Sequence, residues 1–290
     1  MSRGKRIVVG LDGSDESRSA LRWAVAETAI WDAELDVVHA WDFPFVIVPP
    51  PINLTYPADI DALERSAGTL LDAEVEAVRV HTGPRPRQVE KIIVRDTATR
   101  ALLETAKGAD LLVVGSRGHG GFTGLLLGSV STQCVHHAPC PVAVVRESVD
   151  SSTHTRIVVG VDGSACGHEA LTWAIAEAAA RQQPLVALAA WSWLDQPGKF
   201  DPDYSEKDVT AMAQAAVDRA LGEVRGDSDI DIEIRPVNDL PARALIEASS
   251  EAGLLVVGSR GLGGFQGLLL GSVSNNAVHH AHCPVVVVRR

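Results

Sequence analysis

The stretch "VVGSRGHGGFTGLLLGSVS", residues 113–131, is the most informative segment of this chain, and a near copy, "VVGSRGLGGFQGLLLGSVS", covers residues 256–274. Glycine loses more backbone entropy on folding than any other residue, so such a segment is costly to order. Without a Cβ, consecutive amides can approach an anion closely. We interpret each copy as a phosphate-cradling loop rather than a flexible surface loop, because the Gly, Ser and Arg positions agree in both.

The whole chain is a tandem repeat. The segment "RIVVGLDGS" at residues 6–14 recurs as "RIVVGVDGS" at residues 156–164, and "ALRWAVAE" recurs as "ALTWAIAE". A repeat of this length indicates two homologous domains rather than one large one. We predict domains at residues 1–147 and 155–290, joined by the polar linker "ESVDSSTHT".

Each copy alternates strand and helix patterns. "RIVVGL" is an apolar run without polar alternation, as in a strand buried on both faces, and helical spacing follows it. Five strands and four helices per copy predict an α/β fold of two tandem doubly wound, Rossmann-like domains, each with a parallel sheet of strand order 3-2-1-4-5. We place helices at about residues 58–80 and 129–137, and a strand near residues 87–94.

Composition limits the class of protein. The formal net charge of −11 argues against a protein that coats nucleic acid or an anionic membrane. No apolar run reaches the roughly 18 to 20 residues needed to cross a bilayer, and the N-terminus is no signal peptide, so we expect a cytoplasmic protein without membrane insertion. Cys140 and Cys283 each precede a proline and an apolar run, which predicts buried thiols rather than a disulfide or metal site.

The glycine stretch matches neither GxxxxGK[ST] nor GxGxxG. It does match G-x2-G-x9-G-[ST], in both copies. With the "VVG[LV]DGS" starts and the "HAPCPV" and "HAHCPV" segments, the chain resembles the universal stress protein family, in its tandem-domain, ATP-binding branch. The resemblance covers nearly the whole chain.

The resemblance implies one ATP per domain, with Mg or Mn, held between the first and fourth strands. It implies that the glycine motif holds the phosphates, that an acidic residue lies near the nucleoside, that a glycine passes the ribose, and that the backbone of an alanine reads the adenine edge. In the first domain these residues are Gly115, Ser116, Arg117, Gly118, Gly120, Gly128 and Ser129, with Asp12, Gly10 and Ala40. In the second they are Gly258, Ser259, Arg260, Gly261, Gly263, Gly271 and Ser272, with Asp162, Gly160 and Ala190.

Several roles stay open at this stage. Each motif arginine either pairs with a phosphate or points to solvent. Asp12 is alternatively an N-cap of the following helix, and Ser129 is placed to cap the helix that it opens. Gly118 is expected where the loop turns, through close approach to phosphate or through a backbone φ that other residues avoid. The adjacent histidine pairs 136–137 and 279–280 point apart on a helix, which does not favour metal binding.

Three function classes fit these observations. The first is a nucleotide-dependent regulator of stress response or growth that acts through protein partners not identified by the sequence. The second is a slow ATPase or an adenylyl-transferring enzyme on the same fold, although the motif supplies no lysine. The third is an interaction module with a structural nucleotide. The apolar final strands, "PVAVVR" and "PVVVVR", are expected to pair with each other, because unpaired edges invite aggregation, and a further homodimer is expected.

Overall fold

The computed structural model describes residues 5–42, 60–81, 86–119, 126–146, 155–192, 205–226, 229–262 and 269–289. The predicted linker lies almost wholly outside them, as do Gly120 and Gly263. The first domain comprises β1 (Arg6–Gly10), α1 (Asp15–Trp31), β2 (Glu34–Trp41), α2 (Ile60–His81), β3 (Val89–Arg95), α3 (Ala98–Thr105), β4 (Leu111–Gly115), α4 (Ser129–His137) and β5 (Val142–Val145).

The second domain repeats this order of elements. It comprises β6 (Ile157–Gly160), α5 (Ala165–Arg181), β7 (Leu185–Trp191), α6 (Glu206–Val224), β8 (Ile232–Asn238), α7 (Pro241–Ser249), β9 (Leu254–Gly258), α8 (Ser272–His280) and β10 (Val285–Val288). The helix predicted at 129–137 is confirmed, β3 begins two residues later than predicted, and the start predicted for α2 near residue 58 lies outside the described residues. The described helices include none that is both long and apolar enough to span a membrane.

The strands form one ten-stranded sheet with the order β3-β2-β1-β4-β5-β10-β9-β6-β7-β8. Within each domain the pairing is parallel, and the predicted order 3-2-1-4-5 is confirmed twice. The two halves meet where β5 and β10 pair antiparallel, with Val144 opposite Val285. The prediction that the final strands pair with each other is therefore confirmed.

Both faces of the sheet are covered by helices, which explains the unbroken apolar runs. Alternate residues of β1 point to opposite faces: Ile7 packs with α1 and α2, and Val8 packs with α3 and α4. Each of the two apolar clusters continues through both domains. Trp23 and Trp173 pack against one cluster, and Cys140 and Cys283 are, as predicted, buried free thiols in the other.

Helices α1 and α5 begin with the same cap. The Ser14 side chain accepts a hydrogen bond from Ser17 N at 3.2 Å, and Ser164 accepts one from Gly167 N at 3.0 Å. The hydroxyl thus satisfies an N–H that has no partner within the helix. Ser14, not Asp12, is the N-cap of α1, so the alternative role considered for Asp12 is wrong.

The C-terminal ends of α1 and α5 meet across the domain boundary around buried charges. Glu27 and Glu177 are both fully buried, and the Arg181 guanidinium pairs with both carboxylates. Trp31 occupies the position in α1 that Arg181 occupies in α5, and its Nε1 donates to Glu177 Oε2 at 2.6 Å. Two carboxyl groups therefore share one arginine. If the two domains were identical in sequence here, two arginines would be present.

Candidate functional site

A crevice opens where the order of strands reverses in the first domain. β1 and β4 are parallel neighbours whose connections leave in opposite directions, which is where open α/β sheets bind ligands. The crevice has a cavity of about 180 Å³. Its lining includes most of the residues predicted for the first site, namely Gly10, Asp12, Ala40, Gly115, Arg117, Gly118, Gly128 and Ser129.

The two ends of the glycine stretch are fastened together. Gly128 N donates to Ser116 O at 2.8 Å, and the buried Ser131 hydroxyl donates to Gly115 O at 2.7 Å. Ser116 N in turn donates to Val145 O on β5. The described ends of the loop are thus anchored to the sheet.

The second domain repeats this closure with Gly271 N to Ser259 O at 2.8 Å and Ser274 Oγ to Gly258 O at 2.5 Å. Sequence reasoning missed Ser131 and Ser274 as closing residues. Their signal was available, since "GSVS" occurs in both copies and places a second serine two residues after the anchor.

The amino end of α4 faces the crevice with free amides. Gly128 is the N-cap, with extended backbone and no side-chain hydrogen bond, and Ser129 is the first helical residue. The expectation that Ser129 caps the helix is therefore wrong, and Ser272 in α8 behaves in the same way. Because the first amides of a helix have no intrahelical partner, Ser129 and Val130 present N–H groups where an anion can lie.

Gly115 is required by the packing of β4 against α1. A Cβ at this position would lie 2.8 Å from the backbone carbon of Glu16, a distance that real side chains do not reach. In the second domain, a Cβ on Gly258 would lie 2.6 Å from Cys166 O. These two glycines therefore bring the loop against the start of the neighbouring helix.

Gly118 lies directly against the carboxylate of Asp12. A Cβ on Gly118 would overlap Asp12 Oδ2, and one on Gly261 would lie 2.5 Å from Asp162 Oδ2. Neither glycine is among the described residues with positive φ. The expectation of an unusual φ is thus wrong, and the close neighbour that the structure shows is an aspartate.

Asp12 ties the end of β1 to the glycine loop. Its Oδ1 accepts from Ser14 N at 3.0 Å and from Ser14 Oγ at 2.5 Å, while Oδ2 accepts from His119 N at 3.0 Å. Desolvation of the carboxyl opposes ionisation, but the hydrogen bonds, including one with Ser17, lower the pKa of Asp12 below its ordinary value. Asp12 is therefore an anion at neutral pH.

Asp162 repeats this arrangement in the second domain. It accepts from Ser164 N at 2.9 Å and from Leu262 N at 3.0 Å. In both domains the aspartate thus accepts a hydrogen bond from a backbone amide of the glycine loop and supports the loop, a role that the sequence did not suggest.

Arg117 forms an ion pair with the first turn of α1 in this structure. Its Nη2 lies 2.6 Å from Glu16 Oε1, and the arginine side chain is half exposed at the rim of the crevice. The pair joins the loop to the first turn of α1. The corresponding residue in the second domain, Arg260, is also exposed.

The deeper part of the crevice is apolar. Ala40 and Gly10 lie there as predicted, together with Val38 and Leu102, which sequence reasoning missed. Val38 and Ala40 alternate along β2 and so share one face of the strand, a periodicity that was visible in the sequence. A Cβ on Gly10 would lie 3.0 Å from Leu102 Cδ1, so this glycine gives room to α3. One end of the site suits an anion and the other a flat apolar group.

Comparisons with known proteins agree over both domains. The sequence model of the universal stress protein family matches residues 4–146 and 153–289. A universal stress protein of Mycolicibacterium smegmatis is 34% identical, over 98% of this chain and 96% of that protein. One from Mycobacterium tuberculosis is 35% identical, over 98% and 97%. A solved universal stress protein structure from Archaeoglobus fulgidus has a TM-score of 0.69 at 21% identity, covering 98% of this chain and 96% of that one, which shows a shared fold.

Proposed function

The chain belongs to the universal stress protein family, and we propose that each of its two domains binds one adenine nucleotide, with ATP as the ligand. The observation that carries the proposal is the crevice itself, where free helix amides and a closed glycine loop adjoin an apolar recess. An adenine nucleotide combines the same two properties, a polyanion and a flat, largely apolar base. We further propose that nucleotide occupancy lets the protein regulate stress response or growth from the cytoplasm.

The proposal assigns the phosphates to the glycine loop and to the amides of Ser129 and Val130, which lie in the crevice lining. Such amides are fixed by the helix and need no reorganisation when an anion arrives. Asp12 remains exposed at the crevice after making its bonds to the loop, so its carboxylate can accept from a ribose hydroxyl. Ala40 and Leu102 would contact the base.

A divalent ion would accompany the nucleotide rather than precede it. The described part of the chain contains no group of three or more His, Cys, Asp or Glu side chains placed to hold a metal. Mg²⁺ commonly keeps several waters and binds through phosphate oxygens, which fits a metal delivered with ATP. A turnover assay with Mg²⁺ and with Mn²⁺ measures whether the bound nucleotide is also hydrolysed.

The central test is occupancy of both sites. Both glycine motifs are complete, so calorimetric titration of nucleotide-stripped protein with ATP should give a stoichiometry of about two, since each fastened loop forms one anion site. Mass spectrometry of the protein purified under native conditions should identify the adenine nucleotide it carries. A stoichiometry of one would remove the symmetric assignment, and an absence of binding by every adenine nucleotide tested would reject the proposal.

The remaining parts of the proposal concern organisation. We place the domain limits at residues 1–147 and 155–290, and we propose a homodimer in addition to the pairing of β5 with β10. Size-exclusion chromatography with light scattering measures the mass in solution, and a mass of one chain at all concentrations rejects the dimer.

A further inference from the structure

The two domains differ in charge at the helix start beside the glycine loop. The first turn of α1 carries two acids, Asp15 and Glu16, whereas the first turn of α5 carries none. Cys166 occupies the place of Glu16 and is buried, with Ser259 Oγ at 3.7 Å from its sulfur. The amino end of a helix attracts anions, and acidic side chains in the first turn offset that attraction.

The same substitution changes the surroundings of the loop arginine. In the first domain, Glu16 neutralises Arg117 at 2.6 Å. In the second, no described residue forms an ion pair with Arg260, and the side chain is exposed beside the loop. To bind a phosphate, Arg117 must share or break its ion pair with Glu16. Arg260 has no such competing carboxylate among the described residues.

The other nearby arginines do not remove this difference. Arg146 follows β5 and donates to Val278 O, and Arg289 follows β10 and donates to Val135 O at 2.8 Å, so each reaches across to a helix of the other domain. In both cases burial and the neighbouring loop arginine lower the pKa of the guanidinium. One strand-end arginine therefore stands beside each loop arginine, and the difference is the ion-pair partner of the loop arginine, Glu16 in the first domain, whose place Cys166 takes in the second.

We propose that the two sites select different ligand charge: the second-domain site discriminates strongly by the number of phosphates, and the first-domain site accepts less charged nucleotides almost as well. This inference rests on the proposed function. Each added phosphate brings negative charge towards Arg260, which has no ion-pair partner among the described residues, in one site and towards the Glu16 carboxylate in the other. We expect the ratio of AMP to ATP dissociation constants to be about two- to fivefold larger in the second domain, as for one partly screened charge pair.

The first measurement isolates each site in the full-length chain. The Gly261→Glu variant disables the second site and keeps the first intact, and Gly118→Glu does the reverse. Circular dichroism checks that each variant folds. Each variant is titrated calorimetrically with AMP and with ATP in the presence of EDTA, so that metal binding does not enter. Because the discriminating charge is screened by salt, the difference between the sites should shrink as KCl is raised.

The second measurement exchanges the charge and does not depend on the glycine variants. In the otherwise unaltered chain, Glu16→Gln should raise the AMP to ATP ratio of the first site severalfold, and Cys166→Glu should lower that of the second. Glu34→Gln is the matched control, because Glu34 lies at the amino end of β2, away from the carboxyl ends of the strands where the crevice opens, and it should change neither ratio.

The outcomes separate the two hypotheses. If both sites bind nucleotide with equal ratios, or if the charge exchange leaves the ratios unchanged, the proposed selectivity is overturned while the proposed function stands. If neither site binds AMP or ATP, the proposed function fails and the selectivity fails with it.

Discussion

At the scale of single residues, the glycine motif is held by contacts that lie far apart in sequence. Asp12 Oδ2 occupies the space where a Cβ on Gly118 would stand, so a larger residue at this position would displace the carboxylate. Asp12 in turn receives the His119 amide. The motif is thus fitted both to a ligand, as proposed, and to the aspartate that supports it.

Replacing the second glycine of each motif should abolish nucleotide binding. In a Gly118→Glu, Gly261→Glu double variant, each new side chain displaces an aspartate and adds negative charge, so most ATP affinity should be lost. The fold should persist, because both glycines lie outside the sheet. Circular dichroism and a fluorescent-ATP titration measure the two effects.

Arg117→Ala is the control for that variant. It removes a half-exposed side chain already paired with Glu16, so its effect on affinity should be no more than about 1 kcal/mol. If the glycine variant kept its fold and its affinity, the loop would not bind phosphate.

At the scale of elements, the start of α4 depends on a buried serine. Ser131 Oγ donates to Gly115 O and to Ser116 O, at 2.7 and 3.1 Å, and so joins the helix to the end of β4. Ser274 makes the corresponding bond in α8. The position of the free amides is set by this hydroxyl as much as by the glycines.

Ser131→Ala should therefore lower both stability and affinity. Loss of the hydroxyl removes its buried hydrogen bond to Gly115 O, whereas Ser116 O keeps the bond from Gly128 N, and this loss should reduce the free energy of unfolding by about 1–3 kcal/mol. The ATP affinity of the first site should fall while that of the second is unchanged. Ser129→Ala is the matched control, since Ser129 is exposed and its side chain makes no cap, and it should change stability by about 0.5 kcal/mol or less. Urea denaturation compares them, and equal effects would contradict this role for Ser131.

At the scale of the whole molecule, the two domains share their cores and a buried charge cluster. The carboxyls of Glu27 and Glu177 have one arginine between them, and Lys5 lies over the Trp31 ring nearby. Burial is the main cause that raises the pKa of Glu27 well above its ordinary value, with Arg181 opposing and Glu177 adding to the rise. An acid with a raised pKa binds more protons in the folded state, so its contribution to stability is lost as pH rises through the folded pKa.

Arg181→Met should destabilise the whole chain, because it leaves two buried carboxyl groups without a counter-charge. We expect a loss of about 3–5 kcal/mol at neutral pH, as for other broken buried pairs. The loss should be smaller in acid, where Glu27 is protonated. Urea unfolding at several pH values measures it.

Glu27→Gln is the companion variant. It removes the group with the raised pKa and leaves Arg181 with Glu177 alone, so the unfolding free energy should depend less on pH above the ordinary Glu range. In the Arg181→Met background it should recover part of the lost stability. An unchanged pH profile in Glu27→Gln would show that this cluster does not titrate as described.

Much of this protein followed from sequence alone, because the signals are local. Unbroken apolar runs, helical spacing and two copies of one pattern gave the order of elements, the parallel sheet and the pairing of the final strands. The spacing of Gly115, Gly118 and Gly128 marked the loop, since a backbone free of side chains has few other uses in such a segment.

Tertiary structure alone decided how the site is held together. The pairing of Arg117 with Glu16, the support of the loop by Asp12, and the sharing of Arg181 by Glu27 and Glu177 all join residues from separate elements. No periodicity encodes such contacts, because they depend on which strand ends and helix starts the winding brings together. The sequence thus determined the frame and the position of the loop, and folding determined which charges meet there.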